Sequence, residues 1–121
     1  MSHTTRNQIS DLSPLEVAQL MRERQVLLID VREPDEYANQ RIAGALLFPL
    51  STLDASFLPR DGQHRVVFQC GSGKRSALAA AAYLASGAPQ AAHLAGGIGA
   101  WLAEGLPVIR IEPATGKTAS T

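Results

Sequence analysis

The chain has 121 residues, 45% of them hydrophobic, which suits one domain around one core and leaves no room for a second catalytic domain. Its eleven Lys and Arg equal its eleven Asp and Glu, so no excess of positive charge exists to drive nucleic-acid binding, and no apolar run approaches the ~18 residues of a membrane span. The single cysteine, Cys70, excludes an intrachain disulfide and a cysteine-rich zinc cluster; the histidines at 3, 64 and 93 show no metal-ligand spacing, so neither a metal nor another cofactor is expected.

Residues 1–8 are polar, without the apolar core of a secretory signal, and read as a disordered N-terminus of a cytoplasmic protein. Ser13-Pro14-Leu15-Glu16 forms a capping box with proline at the first helical position, and Val17, Ala18, Leu20 and Met21 add an apolar stripe, predicting a helix over 14–24. The continuous run Val26 to Ile29, ending in Asp30, predicts a strand buried on both faces. Arg32 to Gln40 is a loop and short helix, 45–49 a second strand ended by Pro49, 51–57 a short helix closed by Pro59, and 65–69 a third strand. Beyond Cys70, the alanine-dense segment 76–86 meets Gly87 and predicts a helix with a glycine at its end. Then come a weak strand over 91–94, a helix over 98–104 carrying Trp101, a closing segment over 107–111 and a disordered tail over 112–121.

Strands and helices alternate, with connections too long for hairpins, so the 9–111 domain should be a small α/β fold: a mainly parallel sheet with helices on both faces. Tyr83 and Trp101 belong to its core; His64 reads as a turn residue and His93 as an incidental polar one.

The chemistry should lie in Cys70-Gly71-Ser72-Gly73-Lys74-Arg75-Ser76, which runs from the end of a buried strand through a glycine-containing loop to a helix start. Strand ends and helix N-termini face one crevice in such sheets, and unpaired amides there favour negative charge. A lone cysteine after an apolar strand can be simply a small buried hydrophobe. The two glycines and two cations that follow argue instead for a nucleophile, held as thiolate by the amides, Lys74 and Arg75. No general base is then required, and no histidine can be placed beside Cys70 from the sequence. A carboxylate ending a buried strand needs a partner, so Asp30 should bond the loop backbone or an arginine such as Arg32, or else tune the site electrostatically. Arg32 reads as loop support or ion-pair partner ahead of substrate ligand. Neither Gly73-Lys74 nor Gly116-Lys117 has the spacing of a nucleotide-binding loop.

Four pieces in order resemble the rhodanese family of sulfurtransferases across nearly all of 9–111. They are Asp30-Val31-Arg32-Glu33 with Glu36-Tyr37, Ile42-Ala43-Gly44-Ala45 before Pro49, the loop at 70–75, and Leu94-Ala95-Gly96-Gly97 with Ala100-Trp101. The resemblance implies that Cys70 takes sulfur from thiosulfate or a persulfide donor, becomes a persulfide and passes the sulfur on, to cyanide in vitro or a thiol in vivo. The amides of 71–75 would cradle the sulfur, Lys74 and Arg75 would hold the anionic donor, and Asp30 and Arg32 would support the loop. It also implies a small donor, a thiol or protein acceptor, no cofactor beyond the carried sulfur, and a monomer or weak dimer. Arg41 stands where many members have histidine, and Gly71 where arginine often follows the cysteine, departures that could move donor preference away from thiosulfate. The alternatives are a non-catalytic protein-binding module of the same family and a cysteine-dependent phosphatase or arsenate reductase. The latter needs one more residue between cysteine and arginine, which would put the arginine where Ser76 stands.

Overall fold

The structure, a computed structural model, describes residues 9–60, 62–112 and 115–120. The apolar runs Val26–Ile29 and Val66–Phe68 lie in β2 (Val26–Asp30) and β5 (Arg65–Gln69), which pair in parallel at the middle of the sheet, where both faces can be buried. Around them the chain runs β1 (Ile9–Leu12), α1 (Pro14–Arg22), β2, α2 (Pro34–Asn39), β3 (Gln40–Arg41) and β4 (Leu46–Leu47). Two 3-10 turns (Leu50–Thr52 and Ala55–Phe57) precede β5. There follow α3 (Lys74–Ala85), β6 (Ala91–Leu94), α4 (Gly97–Ala103), β7 (Ile109–Ile111) and β8 (Thr118–Ser120). The main sheet has the order β1-β6-β5-β2-β4 with every pairing parallel; β3-β7-β8 form a small antiparallel sheet.

Alternation along β5 divides the core. Val67 faces Val17 and Ala18 of α1 and Ile98 and Trp101 of α4, whereas Val66 and Phe68 face Ala79, Ala80 and Tyr83 of α3. Helices therefore cover both faces, as the alternation of elements predicts. The alanines of α3 let its backbone lie close to the sheet, and full burial of Phe68 alone contributes about 2–3 kcal/mol. The capping box is formed: Ser13 Oγ accepts from Glu16 N at 3.1 Å and Glu16 Oε1 accepts from Ser13 N at 3.0 Å. Because β1, β6, β5 and β2 are parallel, Asp11, His93, Gln69 and Asp30 come to one edge of the sheet.

Four segments differ from the sequence expectation. β1 is half polar, with Ser10 and Asp11 between Ile9 and Leu12, and exists by pairing with β6, a contact no local pattern reveals. The strand expected over 45–49 shrinks to Leu46–Leu47, with Leu46 half-exposed at the sheet edge. The helix expected over 51–57 becomes two 3-10 turns, the second started by Asp54, which accepts from Ser56 N at 3.0 Å. Within the tail expected to be disordered, Thr118–Ser120 is a strand because β7 offers it an open edge. The disorder expected for 1–8 lies outside the described residues. No helix among the described residues is long and apolar enough to cross a membrane.

Candidate active site

Cys70 follows the last residue of β5 and is fully buried. The loop after it closes on the sulfur. Gly73, the N-cap of α3, has φ +105°, a left-handed conformation that turns its amide inward, and a Cβ there would meet Gly96 N at 3.2 Å. Cys70 Sγ accepts from Gly73 N at 3.1 Å and from Ser76 N at 3.3 Å, and Ser76 Oγ stands 3.5 Å away. Burial pushes the Cys70 thiol up, but hydrogen bonding from the Ser76 hydroxyl and from the amides of Ser76, Gly73 and Ser72 outweighs it and leaves the thiol below its ordinary value.

The loop is also held from beneath by α4. Cys70 O accepts from Ile98 N at 2.8 Å and Gly71 O from Gly99 N at 3.2 Å. Gly97 lies directly under this junction with φ +61°; a Cβ on it would overlap Cys70 O and sit 2.6 Å from Gly71 C. That contact explains the glycine pair at the start of α4, the N-cap Gly96 and the first helical residue Gly97: it lets the helix backbone touch the backbone of the loop.

The charged residues divide into three groups. Arg75 makes a two-pronged pair with Glu36 of α2, Nη1 to Oε1 at 2.7 Å and Nη2 to Oε2 at 3.0 Å, so its charge is turned toward α2. Gly71 lies alongside: a Cβ there would stand 3.4 Å from Arg75 Nη2. Lys74 is exposed at the loop rim, beside exposed Ser72. At the end of β2, Asp30 accepts from Arg32 N at 3.0 Å, Arg32 Nε at 3.0 Å and Arg32 Nη2 at 2.7 Å, while Nη2 also donates to Gln40 O at 2.6 Å. This buried pair ties β2 to β3 and leaves the sulfur to other groups. Gln69, buried beside Cys70, has neither side-chain amide atom hydrogen-bonded, a burden of about 1–3 kcal/mol.

His93, read from the sequence as an incidental polar residue, is buried at the end of β6 and belongs to the site. Its Nδ1 is 2.9 Å from Ser76 Oγ and its Nε2 is 2.7 Å from Asp11 Oδ1 on β1. An unbroken hydrogen-bonded chain thus leads from Cys70 through Ser76 and His93 to exposed Asp11. The one sequence signal for His93 was its place at the carboxyl end of a strand, the edge where ligands bind in such sheets. Of the expected loop residues, Ser72, Gly73 and Ser76 reach the sulfur, whereas Arg75 is directed away from it. Among the described residues no group of His, Cys, Asp and Glu is arranged to hold a metal.

The profile of the rhodanese-like domain matches residues 13–104. An uncharacterized protein of Synechocystis sp. is 34% identical over 114 residues, covering 94% of this chain; the chain spans only 63% of that relative's length. A protein of Allochromatium vinosum named sulfurtransferase is 39% identical over 89 residues, covering 72% of this chain and 81% of its own. Among solved structures, a rhodanese-related protein from Thermoplasma volcanium superposes with a TM-score of 0.71 at 29% identity, over 82% of this chain and 96% of its own.

Proposed function

The chain belongs to the rhodanese-like domain family, and from that premise we propose that it is a sulfurtransferase with Cys70 as nucleophile and carrier. The Cys70 thiolate attacks the outer sulfur of thiosulfate or of a persulfide donor. One S–S bond forms, the donor's bond to that sulfur breaks, and sulfite or a thiolate leaves with the electron pair. A nucleophilic acceptor, cyanide in vitro or a thiol in vivo, then attacks the terminal sulfur and Cys70 leaves as thiolate. Charge is conserved at each displacement on thiosulfate and cyanide, and no oxidant is consumed.

The observation that carries this reading is the pair of amide donors on one buried sulfur, Gly73 N at 3.1 Å and Ser76 N at 3.3 Å, with the Ser76 hydroxyl 3.5 Å away and able to turn its proton to a thiolate. Donors fixed before the reaction stabilise a thiolate nucleophile in the first displacement and a thiolate leaving group in the second. Exposed Lys74 offers the cation that meets an anionic donor, and Arg75, held by Glu36, shapes the loop wall. That pairing weighs against the phosphatase alternative, which needs the guanidinium turned onto a bound oxyanion.

The test is intact mass before and after thiosulfate, followed by cyanide, with Cys70→Ser in parallel. Gain of one sulfur atom on the unaltered chain only, removed as thiocyanate, is the expected result. A chain that gains no sulfur from thiosulfate or from an organic persulfide is not a carrier, and the protein-binding alternative then replaces this reading.

A further inference from the structure

Sulfur transfer by Cys70 needs a thiolate, and the proton of Cys70 must then reside on another group. We propose that His93 holds that proton, received through the Ser76 hydroxyl, so that the resting site is a Cys70 thiolate and a His93 imidazolium separated by one serine. The inference rests on Cys70 being the working nucleophile, and it deepens that reading by assigning a positioning residue outside the loop.

The geometry fixes the proton count. With neutral His93 protonated at Nε2 toward the Asp11 carboxylate, Nδ1 carries a lone pair and accepts the Ser76 hydroxyl at 2.9 Å, while the Cys70 thiol donates to Ser76 Oγ at 3.5 Å. Moving the thiol proton to Oγ and the hydroxyl proton to Nδ1 breaks one S–H and one O–H bond and forms one O–H and one N–H bond. The products are a thiolate, an intact hydroxyl now donating to the sulfur, and a doubly protonated ring. His93 thereby reverses the Ser76 hydroxyl without touching the sulfur. The Ser76 hydroxyl has a competing acceptor in Gly73 O at 3.2 Å, and protonated Nδ1 removes the histidine as an alternative acceptor.

The surroundings favour this pair. Asp11 supplies a carboxylate on the far nitrogen and is 74% exposed, so the chain ends in solvent, where protons enter and leave, while His93 itself is buried. Across β6 from it, β5 offers uncharged Phe68, and α3 and its N-cap offer the uncharged Ser76 and Gly73. The other charges near the sulfur are Arg75, already paired with Glu36 of α2, and Asp30, already paired with Arg32. His93 is therefore the imidazole hydrogen-bonded into the Cys70 chain, and its ring nitrogen facing Ser76 is the acceptor for the thiol proton.

Because Cys70 is the only cysteine, thiolate absorbance against pH reads it alone, with Cys70→Ser as blank. The expected result for His93→Asn, which keeps a hydrogen-bonding side chain but cannot take the proton, is a midpoint about one pH unit higher, or about tenfold less thiolate on the acid side. Ser76→Ala should move it the same way, and the double variant should go no further than the larger single shift, since both break one chain. Ring nitrogen NMR of the unmutated residue gives a second reading: at about pH 7 His93 should carry protons on both nitrogens beside the Cys70 thiolate and on one only in Cys70→Ser. A His93→Asn titration that superposes on wild type, additive shifts in the double variant, or a His93 ring unaffected by Cys70→Ser would overturn the proposal. These readings are independent of sulfur transfer, so a chain that titrates as expected yet gains no sulfur refutes the sulfurtransferase reading and leaves the relay standing.

Discussion

Glu36 and Arg75 show what a single ion pair does at this site. The hydrogen bonds from Arg75, opposed by partial burial, hold Glu36 down to about 2. A carboxylate lowered in the folded state contributes stability that is complete above its unfolded pKa, about 4.3, and that is lost as pH falls through the folded value. Both side chains are more than a third exposed, at 37% and 36%, so solvent screens the pair and its contribution should be under about 1 kcal/mol. Chemical denaturation of Glu36→Gln and the unaltered chain should therefore differ by that amount near pH 7, and the gap should close between about pH 4 and about pH 2. A gap that persists at the acid end would locate the contribution in packing instead of charge. The pairing itself was not legible in the sequence, because its partners lie 39 positions apart and belong to different elements. By contrast, the reciprocal Ser13 and Glu16 bonds were legible because they close within one turn.

At the scale of elements, the meeting of α4 with the Cys70 loop is backbone against backbone. Gly97→Ala places a methyl group 2.6 Å from Gly71 C in a left-handed conformation, and either the loop or the helix must shift. The expected loss is about 3 kcal/mol or more in unfolding free energy. Cys70 ionisation should also move up, since displacing the loop displaces the Gly73 and Ser76 amides from the sulfur. Loss of stability with an unchanged thiol titration would mean that the loop keeps its shape without α4 beneath it. The elements that were read correctly, β2, β5, β6 and the alanine-rich α3, carry their signal in contiguous residues. β1 does not, and with it went the role of His93: the histidine meets Asp11 across 82 positions, in a pairing that exists only after β6 and β1 lie side by side.

The whole molecule places its chemistry and its small second sheet in different parts of one chain. Among the described residues β8 pairs only with β7, and it is mostly exposed, so a chain ending at Ile111 should lose about 1 kcal/mol or less and keep the thiol titration of the full chain. A titration that moves on truncation would show that the C-terminal segment reaches the site. The parallel sheet determines more. It brings the ends of β1, β6, β5 and β2 to one rim, and there the sulfur, its hydrogen-bond donors and His93 assemble from segments spread over most of the sequence.

The complete burial of Cys70 has a further consequence for how the protein meets the small reactive molecules around it. In the sulfurtransferase reading proposed above, the unloaded thiol would offer no surface to a bulky electrophile and would meet only a donor whose outer sulfur reaches into the loop. Adding one sulfur would carry the reactive atom about 2 Å beyond Cys70 Sγ, the length of an S–S bond. In that reading the fold would separate a sheltered cysteine from a presented sulfur by the length of a single bond.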